Sequence, residues 1–107
     1  MANTTRALDG LSALGDPTRR AIFERVAKKA APVGDLARGL PVSRPAVSQH
    51  LRVLSDAGLV RHEAVGTRRL YEVDRDGLAT LRDYLDGFWQ GALERFREAA
   101  DREGGSP

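Results

Sequence analysis

Two arginine-bearing stretches in the middle of this 107-residue chain carry side chains able to engage a polyanion. The first runs Ser43-Arg-Pro-Ala-Val-Ser-Gln-His-Leu-Arg52. Wound as a helix, it puts Val47, Leu51 and Leu54 on one face. Pro45, Ser48, Gln49 and Arg52 form a polar strip about 100–200° away. A glutamine amide can bond an adenine edge bidentately, Arg44 or Arg52 can reach guanine or phosphate, and Ser48 is short enough for either. The second stretch, Gly66-Thr67-Arg68-Arg69, sets two guanidinium groups at a turn, where they suit phosphates or a narrow minor groove.

The charge distribution agrees with that chemistry. The chain as a whole is only +2, yet residues 38–71 carry six arginines (Arg38, Arg44, Arg52, Arg61, Arg68, Arg69) against Asp56 and Glu63, a net of +4. Residues 72–107 carry five basic and nine acidic groups, a net of −4. A basic middle followed by an acidic end points to a polyanion partner at the middle.

Other chemistries find little support. With no cysteine, disulfides, thiolate metal sites and cysteine nucleophiles are excluded. Ser48, His50 and Asp56 share one helix but point in different directions, and no glycine-rich phosphate loop follows a strand. No catalytic residue and no cofactor is therefore expected, and the chain does not read as an enzyme. It lacks a signal-peptide stretch at its start and any apolar run long enough to cross a membrane, so a cytoplasmic protein with no membrane partner is expected.

The elements that must position the two stretches follow from local signals. Ala7, Leu8, Leu11 and Leu14 mark a first helix over about 4–14. Asp16-Pro17 starts a second, running to about Lys29, because aspartate caps free N–H groups and proline loses no bond at the first helical position. Its inward residues are Ile22, Phe23 and Val26; Arg19, Arg20, Arg25 and Lys28 are expected outward. Val33, Leu36, Ala37 and Leu40 define a third helix, stopped by Pro41. Ser43 caps a fourth, over 44–57, ended by Gly58. Branched residues on either side of Gly66-Thr67 give a hairpin, with the wing over 60–73. A last helix spans about 76–102, its apolar stripe made of Leu78, Leu81, Leu85, Phe88, Trp89, Ala92 and Phe96. The expectation is one domain over 1–103 with dimerisation helices at both ends, and a frayed tail over 104–107. A helix, a short turn and a helix followed by a basic hairpin make a winged helix-turn-helix, mostly α with five helices and a two-stranded wing.

At this point the sequence resembles a known family. The run Val42-Ser-Arg-Pro-Ala-Val-Ser-Gln-His-Leu-Arg-Val-Leu-Ser-Asp-Ala-Gly-Leu-Val60 is similar to the signature of the ArsR/SmtB winged-helix repressors of bacteria. Leu14-Gly-Asp-Pro-Thr-Arg-Arg20 resembles the opening of that family's second helix, and Gly66-Thr-Arg-Arg-Leu-Tyr71 its wing. The resemblance covers about residues 7–75. It implies a homodimeric repressor that reads an inverted-repeat operator in double-stranded DNA, with Arg44, Pro45, Ser48 and Gln49 at the reading positions. The expected DNA-binding set is Ser43, Arg44, Pro45, Ser48, Gln49, Arg52, Thr67, Arg68 and Arg69. The expected dimer interface adds Leu8 and Leu11 to the seven stripe residues.

Many members of that family respond to metals, and here the ligands are missing. The site that uses cysteines has none, and the last helix has Asp83 and Asp86 but no histidine. Carboxylates alone make a poor transition-metal site. His50 and His62 lie on different elements, and His50 reads as a packed, hydrogen-bonded residue. The chain thus looks more like the branch without metal ligands, and no metal is expected. Phe88 and Trp89 are expected in the dimer core, with a small-molecule pocket as the other use of such a pair. The competing reading of the whole is a helical dimer whose winged helix binds a protein.

Overall fold

Three helices, the second, the fourth and the last, start where a side chain satisfies free backbone N–H groups. The computed structural model describes residues 2–104. Helix α1 covers Ala2–Ala13, α2 Pro17–Lys28, α3 Val33–Ala37 and α4 Arg44–Asp56. Strands β1 (Val60–Val65) and β2 (Arg68–Val73) follow, then α5 (Arg75–Gly104). The Asp16 carboxylate accepts from the Arg19 backbone N–H at 2.8 Å, and Ser43 Oγ accepts from Ala46 N–H at 3.2 Å. At α5 the cap is Asp74, whose Oδ1 accepts from the N–H groups of Asp76 (3.1 Å) and Gly77 (3.3 Å). α5 therefore begins one residue before the expected Asp76 and runs on to Gly104. The remainder of the tail expected to fray, residues 105–107, lies outside the described residues.

Two expectations need correction in the α2–α3 region. Helix α3 stops at Ala37 and does not reach Leu40, because Gly39 adopts φ +79° and turns the chain. Leu40 nevertheless packs half-buried against the core. Arg19 and Arg25, expected outward, are half-buried and bind carbonyls. Arg19 Nη1 donates to Ala13 O at 3.1 Å at the end of α1. Arg25 Nη1 donates to Leu36 O at 3.1 Å and also to Arg38 O, tying down the free carbonyls where α3 ends.

The core sits where α1, α2, α4 and the hairpin meet. Ile22, Val47, Leu51 and Leu54 are fully buried there, with Leu36, Leu59 and Val60 close to it. Burying a side chain of this kind stabilises by roughly 1.5–3 kcal/mol, so these few residues provide much of the favourable term in so short a chain. The hairpin is antiparallel with His62 opposite Tyr71 and Ala64 opposite Arg69. At its tip Gly66 takes φ +64°, while Thr67 stays at ordinary φ, so glycine fills the first central position of the turn. A feature absent from the sequence reading anchors the wing. Ala31 and Tyr71 exchange both backbone hydrogen bonds at 3.0 Å, forming a bridge from the α2–α3 loop to β2.

Helix α5 makes the molecule long. Its 30 residues extend about 45 Å at 1.5 Å per residue. The radius of gyration is 18.6 Å and the extents are 70 × 30 × 19 Å, against a radius of about 13 Å for a compact chain of 100 residues. The start of α5 packs on α1. Beyond Tyr84 the helix projects away with its side chains exposed.

Candidate nucleic-acid interface

The helical periodicity of α4 sorts its side chains cleanly. Val47, Leu51 and Leu54 are at 0% exposure, which fixes the helix against the core. That leaves Ser43, Arg44, Pro45, Ser48, Gln49 and Arg52 exposed along the opposite side and the N-terminal turn. The hairpin stands beside this strip. Pro45, Ser48, Gln49 and Arg52 share one open groove of about 770 Å³ with His62 and Arg69 of the wing. Strand alternation explains the wing's share: Arg69 lies on the same face as Tyr71, which is buried, and His62 is cross-strand partner to that tyrosine. The rings of His62 and Tyr71 are 5.3 Å apart, so the histidine is part of the wing's support.

The N-terminal turn of α4 meets the wing tip in a second cleft. Arg44, Thr67, Arg68 and Arg69 line it together with Asp35 and Arg38 of the α3 segment. The Arg44 guanidinium lies across Gly34, where a Cβ would come within 2.6 Å of Nη2. Asp35 Oδ1 accepts from Arg38 Nη2 at 3.3 Å, and Oδ2 is 3.8 Å from Arg68 Nη2. Arg38, Asp35 and Gly34 were not among the expected interface residues. The one signal available was the Asp35-Leu-Ala-Arg38 spacing, which places opposite charges three apart on a helix.

Not every arginine of the basic middle is available. Arg61 donates from Nε to Glu72 Oε1 at 2.6 Å, directly across the hairpin at its base. That hydrogen bond, reinforced by the Glu72 charge, raises the Arg61 pKa above its ordinary value. By contrast, Arg44, Arg52 and Arg69 enter none of the ion pairs found among the described residues.

His50 borders the apolar face of α4 and is half-buried, but it is not hydrogen-bonded at Nδ1 as expected: that atom is buried without a partner. Its neighbour across the α2 start is Asp16. The Asp16 carboxyl is held below its ordinary value chiefly by the Arg19 backbone N–H, with a smaller contribution from the charge of His50.

The dimer stripe is sorted less evenly than the periodicity implied. Leu8, Leu11, Leu78 and Leu85 are exposed, as are Phe88 (60%), Trp89 (62%), Ala92 and Phe96 (74%). Leu81 departs from the set: at 5% exposure it belongs to the core of its own chain, packed where α5 meets α1. Leu93, which the periodicity left out, is exposed at 37%. Phe88 stacks edge-on against Tyr84 at 5.0 Å and borders a shallow groove with Gly87, Gly91 and Arg95, whereas Trp89 lies outside that groove.

The residues do not fit a metal site. Asp83 is paired with Arg82 at 3.2 Å, and among the described residues no group of three or more histidines or carboxylates is placed to hold an ion. No described helix is long and apolar enough to cross a membrane.

Comparison with known proteins agrees with this architecture. Residues 14–63 match a helix-turn-helix domain family. Over 92 residues the chain is 58% identical to the HTH-type transcriptional regulator Rv2034 of Mycobacterium tuberculosis, covering 86% of each chain. An ArsR-like transcriptional regulator from Rhodococcus superposes with a TM-score of 0.80 at 26% identity, covering 94% of this chain and 95% of that one. A possible transcriptional regulator for arsenical resistance gives 0.70 at 42% identity, covering 86% and 96%. The sequence similarity, the α4 strip and the arginine-bearing wing agree: the chain belongs to the ArsR/SmtB family of winged helix-turn-helix transcriptional regulators.

Proposed function

We propose that this chain is a homodimeric repressor that binds an inverted-repeat operator through α4 and the wing. The observation that carries the reading is the shared groove, in which Ser48, Gln49 and Arg52 of α4 face Arg69 of the wing. A helix enters the major groove with its N-terminal residues toward the base edges. On that docking Gln49 and Ser48 read bases, while Ser43, Arg44, Thr67, Arg68 and Arg69 hold the backbone. Asp56 is the last residue of α4 and lines the far end of the same groove.

The second copy is inferred from α5. Phe88, Trp89, Leu93 and Phe96 are exposed on a stretch that no other element of the chain covers. Apolar area of this size on one projecting helix calls for a partner, and a twofold interface is self-complementary. Leu8 and Leu11 of α1 extend the surface, and Leu78 and Leu85 lie within it. Phe88 and Trp89 serve as dimer core in this arrangement. The chain is read with the branch of the family without metal ligands, because it has no cysteine and its last helix has no histidine.

The test is protection of host genomic fragments selected by the purified protein. A repressor of this design protects an imperfect inverted repeat with half-sites about 10–10.5 bp apart, or a multiple of it. A protein-binding module would select no common fragment.

A further inference from the structure

The cleft between the α3 segment and the wing tip holds one acid among four arginines. Asp35 is half-exposed, and its two carboxylate oxygens face different elements: Oδ1 takes Arg38 of the α3 segment, and Oδ2 takes Arg68 at the wing tip. Arg44, at the start of α4, lies beside the same site across Gly34. Two guanidinium groups thus pair with a single carboxylate, and a third, Arg44, lines the same cleft. A guanidinium is the kind of group that a DNA phosphate engages, and a carboxylate is an anionic oxygen acceptor for it as a phosphate is.

We infer that Asp35 is a built-in competitor of the DNA backbone: it occupies Arg68 and Arg38 in the free protein and thereby restrains sequence-independent binding. The inference rests on the DNA-binding reading above. Phosphate contacts carry the non-specific part of affinity, whereas base contacts supply discrimination. An acid that must give up its arginines before phosphates can take them weakens every sequence alike. Specific sites stay bound through the added contacts of Gln49 and Ser48, while random sequence, held by phosphates alone, is released sooner. The pairs are exposed, so each one shifts binding by only a few-fold. That is enough to matter, because a repressor searches a large excess of non-specific DNA. Asp35 also holds the wing tip near α3, so its release frees the tip to follow the backbone.

The experiment is a salt titration of binding by the intact protein and its Asp35→Asn variant. The probes are a mixed-sequence duplex about three helical turns long and the genomic fragment bound best by the wild type. Asp35→Asn keeps the side-chain size, and Asp35→Ser serves as a second variant; thermal melts confirm that both fold. The expected result is mixed-sequence binding about 3–10-fold tighter, and a salt dependence steeper by about one to two phosphate contacts. The genomic fragment tightens by a similar factor, so the preference for it stays unchanged. The gain shrinks when Arg68→Ala is added and disappears when Arg38→Ala is added as well, because both freed groups are then gone. Unchanged or weaker mixed-sequence binding by both folded variants overturns the inference and leaves the repressor reading standing. Failure of the wild type to bind either duplex at low salt overturns both.

Discussion

Gly77, in the first turn of α5, lies directly against the carbonyl of Gly58, which itself sits at φ +79° where α4 ends. A methyl group on Gly77 would overlap that carbonyl oxygen. The contact joins the end of the reading helix to the start of the projecting helix. It therefore helps to set the angle at which α5 leaves the domain.

Gly77→Ala is accordingly expected to destabilise the fold by about 1–3 kcal/mol, the usual cost of forcing atoms into a well-packed site. Chemical denaturation reads the loss directly. Gly87→Ala is the control: nothing lies within 4 Å of its added Cβ, and a helical alanine is favoured there. If the two variants are equally stable, the close approach of Gly77 and Gly58 does not constrain the domain.

Gln49→Ala is expected to relax base preference at one position per half-site, with a discrimination loss of about 1–3 kcal/mol and little change on mixed sequence. Comparing single-base variants of the bound fragment measures it. A uniform loss on all sequences would assign Gln49 to the backbone.

Arg69→Ala should do the reverse. It is expected to weaken binding to all sequences and to lower the slope of log K against log salt by about one phosphate contact. Glu72→Gln, which releases Arg61 at the base of the wing, is the contrasting change. Because Arg61 lies away from the groove shared by α4 and Arg69, its release is expected to leave that slope nearly unaltered.

Acid stability reports the cap of α2. The Asp16 carboxyl titrates below its ordinary value in the folded chain, so it stabilises the fold at neutral pH. That contribution is complete above the unfolded carboxyl pKa of about 3.9 and is lost as pH falls through the lower folded value. Asp16→Asn retains a capping oxygen without the charge. Its thermal midpoint is expected to vary less than that of the wild type below about pH 4. Parallel pH profiles for the two proteins would show that the carboxylate is not stabilised by folding.

Much of this was legible in the sequence because its causes are local. Ser43 and Asp16 announce their helices by capping, Gly66-Thr67 announces the hairpin, and Val47, Leu51 and Leu54 orient α4 by period alone. What was not legible depends on residues distant in the chain. The Ala31–Tyr71 bridge joins a loop to a strand, and no local pattern encodes it. Leu81 lies in the α5 stripe by angle, but the packing of α1 on the start of α5 takes it into the protomer core. Arg19 and Arg25 look solvent-facing by period, yet their side chains are long enough to reach carbonyls at neighbouring helix ends. Asp35 escaped notice because its second partner, Arg68, comes from the far side of the hairpin turn.

The central claim is that α4 and the wing form a DNA-reading surface, and salt dependence tests it most directly. Binding of the intact protein to duplex DNA, followed as salt is raised, is expected to weaken linearly on a log–log plot, with a slope of about −0.9 per phosphate contacted. A steep line that flattens in Arg69→Ala is the predicted result. Absent binding at low salt, or affinity indifferent to salt, would contradict the account.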